Sequence, residues 1–229
     1  MGFNNMGQAH VISLARARTD MKFPVISEVH AYWEALRNGR PIPLRSEIDP
    51  RGIERALENA FIIERIAPGM ARFRLAGMHL NDLMGMEVRG MPLTSFFTPK
   101  AREEMSKALE PVFAGPEILE ITLAAERGIG KPAIDAKMLI LPLRSDLGDI
   151  TRALGCFASV GAIGRAPRRF DIVAIKTTKI QGLEMLSPAP VAPVAPVSTA
   201  QPGFNEAPIP YSADKPAKRP ALRLVKSDE

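Results

Sequence analysis

The chain has 229 residues, with 30 Lys and Arg against 25 Asp and Glu, a formal net charge of +5, and one cysteine, Cys156. A single cysteine excludes an internal disulfide and any multi-cysteine metal site and fits an intracellular location; no run approaches the roughly 18 apolar residues of a membrane helix. The arginines are spread rather than blocked, so nucleic acid is not the expected partner, and a proline-rich C-terminal stretch leaves about 140 to 160 residues to build one core.

Residues 1–26 are rich in Asn, Gln, Gly and Arg, show little periodicity and read as a flexible arm. Within it Ala9 to Ala15 is too short and polar for a signal peptide, which predicts a cytoplasmic protein. From Ser27 the pattern sharpens. Val29, Tyr32, Trp33 and Leu36 recur at helical spacing, Ser27 is placed to cap the start, and Asn38-Gly39 stops the helix. Its aromatic stripe is expected to dock on a sheet or on a second copy of the chain. Arg40-Pro41-Ile42-Pro43 predicts an extended connector. Asp49-Pro50 then opens a second helix, with Asp at the cap and Pro at the first helical position.

Ala60 to Ile66 and Arg72 to Gly77 predict two strands around a Pro68-Gly69 turn. Strict alternation would put Phe73 and Leu75 on one face and Arg72 and Arg74 on the other. Met78, Leu80, Leu83 and Met84 predict a short helix ending at Gly85, and Thr98-Pro99 opens another that buries Met105, Leu109 and Val112. Three further strands follow over Ile118 to Glu126, Ala133 to Leu141 and Ala153 to Gly161, the first two joined by a turn at Gly128-Ile129-Gly130. The domain is therefore bounded at 27–164. Residues 165–186 read as a basic linker in which Ile172 to Leu186 form a weak helix, and 187–229 as a disordered Pro- and Ala-rich tail. The expected fold class is α+β: a five-stranded antiparallel sheet with short helices on one face and a helix flanking it at the N-terminus.

That order of elements resembles the PAS fold. More specific is the run Tyr32-Trp33-Glu34-Ala35-Leu36-Arg37-Asn38-Gly39-Arg40-Pro41-Ile42-Pro43-Leu44-Arg45, with Glu47-Ile48-Asp49-Pro50 behind it. It is similar to the opening of a bacterial PAS-domain family, common in alphaproteobacteria and long known only as a domain of unknown function. Phe73-Arg74-Leu75-Ala76-Gly77 and Leu83-Met84-Gly85 stand where that family has its equivalents, and the resemblance spans Val29 to Val160. It implies a regulatory module that performs no chemistry and acts through protein contacts, with a signalling partner such as a histidine kinase or response regulator. A homodimer is expected through the helix carrying Val29, Tyr32, Trp33 and Leu36.

The candidate ligand pocket lies between sheet and helices, lined by Leu75, Met78, Leu83, Met84, Phe97, Met105, Met138 and Phe157. Unbranched thioethers adapt to irregular volumes and suit either a packed core or a cavity with an apolar guest. Haem-binding relatives hang iron from a His on the helical side, where His79 is the candidate, and a lone His reads better as a capping or surface residue. Flavin photochemistry in related domains needs a Cys on the helical wall, whereas Cys156 falls in a strand. No cofactor is expected, haem and flavin included. His10, His30 and His79 have no evident Ser or Cys partner and no paired carboxylates stand out, so no enzyme and no metal site are expected. The rival readings are a sensor bearing haem or flavin, and a nucleic-acid-associated regulator using Arg165, Arg168, Arg169, Lys215, Lys218, Arg219 and Arg223.

Overall fold

A computed structural model describes residues 22–180; the expected arm as far as Met21, the tail and its basic residues lie outside the described residues. The first helix, α1, runs Pro24–Arg37. It starts three residues before Ser27, because Pro24 takes the first helical position, where a missing N–H costs nothing. It ends at Asn38, whose φ of 44° places it in the left-handed region that closes helices. Ile26, Val29 and Trp33 share its buried face. Asp49 caps the short 3-10 helix Pro50–Ala56 as its sequence predicts, accepting a hydrogen bond from the Arg51 amide at 3.0 Å.

Strands β1 (Ala60–Ala67) and β2 (Met70–Ala76) turn at Gly69, whose φ is +65°. Helix α2 (Met78–Met84) and a 3-10 turn at Leu93–Phe96 follow. Helix α3 covers Arg102–Ala114, a turn later than Thr98-Pro99 suggests; the Thr98 hydroxyl donates to the Asp171 carboxylate instead of capping the helix. Strands β3 (Glu117–Ala125), β4 (Asp135–Leu143) and β5 (Arg152–Val160) then form close to their expected places.

The expected weak helix after residue 165 is corrected. Phe170–Lys179 is a sixth strand, β6, paired antiparallel with β3 along its length. Its run of Ile172, Val173, Ile175, Thr177 and Thr178 is rich in β-branched side chains that favour a pleated surface. A register shift at Thr122/Leu123 hides the period of two. The sheet order is β2-β1-β5-β4-β3-β6, six strands rather than five.

Each face of this sheet carries its own apolar cluster. Phe61, Ile63, Phe73, Ile121, Met138 and Phe157 point to the side of α2 and α3. Ile62, Leu139, Leu141, Leu154 and Cys156 point to the side of α1, with Trp33 among them. Two side chains of α1 fix it there: the Trp33 indole donates to the Pro142 carbonyl at 2.9 Å, and the Tyr32 hydroxyl bridges the Asp49 amide and carbonyl at 2.8 and 3.0 Å. The Tyr-Trp pair and the Asp-Pro cap, seventeen residues apart, are parts of one joint.

Two glycines allow the approaches this needs. A Cβ on Gly155 would sit 2.1 Å from the Phe61 ring, and one on Gly77 would sit 2.2 Å from the Glu58 carbonyl oxygen. Gly77 therefore lets the backbone of β2 lie against residues 57–58. Arg168 is fully buried and donates to the carbonyls of Ile163, Glu126 (3.0 Å) and Pro132 (2.6 Å), tying the β5–β6 loop to the β3–β4 loop.

Candidate functional site

The predicted pocket residues divide between the two faces. Leu83, Met84, Phe97, Met105, Met138 and Phe157 are buried together on the α2–α3 side. Leu75 and Met78 are not with them, being 50% and 62% exposed. Leu75 is displaced by a β-bulge. Ile63 pairs with Phe73 and Ile62 with Leu75, so the register shifts at Arg74 and Phe73 and Leu75 fall on opposite faces. Within β2, strict alternation fails at Arg74.

Inside the α2–α3 face, rings meet in sequence: Phe61 to Phe73 at 5.4 Å, Phe73 to Phe96 at 5.3 Å, Phe96 to Phe157 at 5.8 Å and Phe157 to Phe170 at 5.0 Å. These offset and edge-on contacts each add about 1 kcal/mol to the burial of the rings. His79 lies at the margin of this cluster, 6.3 Å from the Phe157 ring, with Nε2 3.0 Å from the Ser159 hydroxyl. The expectation that no histidine has a serine partner is thus corrected. Eighty residues separate the two, and no spacing rule links them. Burial pushes the imidazole below its ordinary value, and the more distant charges of Asp82 and Glu58 offset this only in part. Among the described contacts no carboxylate bonds its second nitrogen.

The α1 face holds different chemistry. Cys156 is buried beneath α1, its thiol 3.8 Å from the Val25 carbonyl, and burial, aided by Glu28, pushes it up to about 12. Such a thiol is an inert hydrophobe at neutral pH. At one end of this face Glu64 meets Arg74 at 2.8 Å, Arg72 at 3.1 Å and Arg152 at 3.3 Å. Burial would raise the Glu64 carboxyl, but hydrogen bonds from Arg74 and Arg72 outweigh it and hold it below the usual range. Beside this cluster lies an open groove of about 180 Å³, lined by Ile48, Pro50, Ile53, Leu57, Ile62, Leu75 and Leu154 among others. Sequence reasoning missed it, because it joins a 3-10 helix to strands whose register turns on the bulge. No His, Cys, Asp and Glu group suited to a metal occurs among the described residues.

Of the predicted dimer-helix residues, Val29 and Trp33 are fully buried against the chain's own sheet. Tyr32 is half-buried and bonded to Asp49, and Leu36 is half-buried. No helix among the described residues is long and apolar enough to cross a membrane.

Residues 21–158 match the model of the PAS-domain family, and the chain belongs to that family. No curated protein matches it. Among solved structures it is similar to the light state of the blue-light photoreceptor Aureochrome1 LOV, at 18% identity and a TM-score of 0.35, covering 48% of this chain and 88% of that one. A light-oxygen-voltage domain described with a flavin analogue stands at 22% identity and 0.35, covering 48% and 83%. An RNA-binding light-oxygen-voltage receptor stands at 19% and 0.37, covering 52% of this chain and 35% of that one. At such identities the likeness speaks to fold alone.

These neighbours correct the expectation of a chain with neither haem nor flavin, since one of them is described with a flavin analogue. Cofactor content is read from the absorbance of the purified protein. In the packing described here the α2–α3 interior is filled by the fully buried Phe73, Phe96, Phe97, Phe157, Met105 and Met138, and the Cys156 thiol lies behind the sheet.

Proposed function

We propose that this chain is a cytoplasmic sensory or regulatory protein whose output is a contact with another protein, a histidine kinase or response regulator being the expected class. The observation that carries this reading is the contrast between an interior of interlocked rings and thioethers and an outer sheet face that α1 covers only in part. A regulatory domain needs a core that two states can repack and a surface that a partner can read. The six residues Leu83, Met84, Phe97, Met105, Met138 and Phe157 are where a small apolar guest would enter to shift that packing. Residues 165–180 belong with the domain rather than with a linker, since β6 completes its sheet. Pairing of two copies through α1 has only the helix's outward side to use, because Val29 and Trp33 are spent on the sheet.

Quantitative capture by the full chain from a lysate of its source cells tests the reading. The expected result is enrichment of a signalling protein over an unrelated PAS chain of equal charge. No enriched protein, together with turnover of a substrate by the purified chain, would contradict it.

A further inference from the structure

We propose that the outer face of the β1–β2 hairpin binds an acidic protein segment through one bulky apolar side chain, an inference that rests on the regulatory reading above. Three observations point to this occupant. The groove, at about 180 Å³, has room for a single leucine or aromatic side chain and falls short of the roughly 300 to 1,000 Å³ of small-molecule pockets. Its rim carries large apolar side chains that a monomer leaves in water: Leu57 at 38%, Leu75 at 50% and Met78, next to the lining residue Gly77, at 62%. Beside it stand three partly exposed arginines around a single carboxylate, a local excess of two positive charges (three minus one).

The register sets the spacing. Ile62 precedes Glu64 by two residues on β1, and Leu154 follows Arg152 by two on β5, with Ile62 paired to Leu154 and Glu64 to Arg152. The charged row therefore lies about 7 Å from the apolar row, one strand repeat. An extended segment spans that distance with an apolar residue and a carboxylate two positions apart. The carboxylate would compete with Glu64 for Arg72 and Arg74, whose planar guanidinium forks suit two oxygens at once. On the other side of the groove, the 3-10 helix Pro50–Ala56 and the residues flanking it carry Arg51 and Arg55 against Asp49, Glu54 and Glu58, all exposed. Positive bias thus lies on the strand side alone and fixes which way the segment points.

Selection of a random twelve-residue peptide library on the full chain tests this. The proposal expects selected sequences rich in Leu, Met, Phe or Trp with Asp or Glu two residues away. Synthetic copies should shift the amide resonances of Leu57, Ile62, Leu75 and Leu154 and lose at least tenfold in affinity against Leu75→Ser and against Arg74→Glu. Both substitutions are at exposed positions, and unchanged thermal melts of the variants verify that they fold. Sequences without acidic enrichment, affinities unmoved by both variants, or shifts confined to α1 or the β6 edge would overturn it. So would decanoate giving the same shifts at lower concentration, which makes the site one for a small acid. Self-association lost in both variants, with no peptide selected, makes the occupant a second copy and also overturns it. If the protein captured from lysate binds wild type and both variants equally, the regulatory reading stands and this surface is wrong.

Discussion

The two faces of the sheet bury similar residues for different ends. On the α2–α3 side, buried rings contact one another without a break from Phe61 to Phe170, and the hairpin tip is pinned to α3 by Glu110, which accepts from Arg65 and from the Gly69 amide, both at 2.5 Å. On the α1 side the cover stops partway: Trp33 and Val29 lie over β4 and β5, while Leu75 on β2 faces an open groove. The first face behaves as a core and the second as a core that runs out into a surface. What separates them is one bulged residue, Arg74, which turns Leu75 away from the interior.

If both apolar clusters are true cores, truncation should cost the same in either. Phe157→Ala and Trp33→Ala should each lower the unfolding free energy by about 3 to 5 kcal/mol, measured by urea denaturation. A much smaller loss for Trp33→Ala would mean that α1 is a loosely held flap. Arg168→Met should cost about 2 to 3 kcal/mol by the same measurement, since it leaves three loop carbonyls without their donor.

Acid should expose the margin of the ring cluster next. Burial holds His79 below its ordinary 6.5, so the unfolded chain takes up the proton first. Its contribution is complete above about pH 6.5 and is lost as pH falls through the folded value. Glu64 and Glu120 are held below their ordinary 4.5 by their Arg and Lys partners despite burial. Their stabilisation is therefore present above about pH 4.5 and lost below it. A stability profile against pH should fall in two steps on acidification, and His79→Gln should remove the upper one alone. The smallest effect is expected at the open end: Leu75→Ser should change stability by no more than about 0.5 kcal/mol in the same melts.

Much of this arrangement was legible in the residues, and the failures have local causes. Helix α1, the Asp49 cap, the Gly69 turn and strands β1 to β5 follow from period, proline and glycine, which are near-neighbour effects. The PAS outline followed from the Tyr32-Trp33 and Asp49-Pro50 runs, whose physical sense is the hydrogen bond between them. Strand β6 was missed because its register shift breaks the alternation that a strand is recognised by. Leu75 was assigned to the wrong face for the same reason, and with it went the groove. His79 and Ser159 meet through the packing of α2 on β5, a contact no local pattern encodes.

The central claim is that the outer hairpin face carries this protein's contacts while the α2–α3 interior stays closed to partners. Photo-cross-linking in the source cells tests it directly, with the reactive side chain placed at Leu75 and, for comparison, at the exposed Val173 on β6 and Ile129 in the β3–β4 turn. The account predicts a discrete covalent adduct with another protein from position 75 and none from the other two. Adducts only from positions 129 or 173 would contradict it.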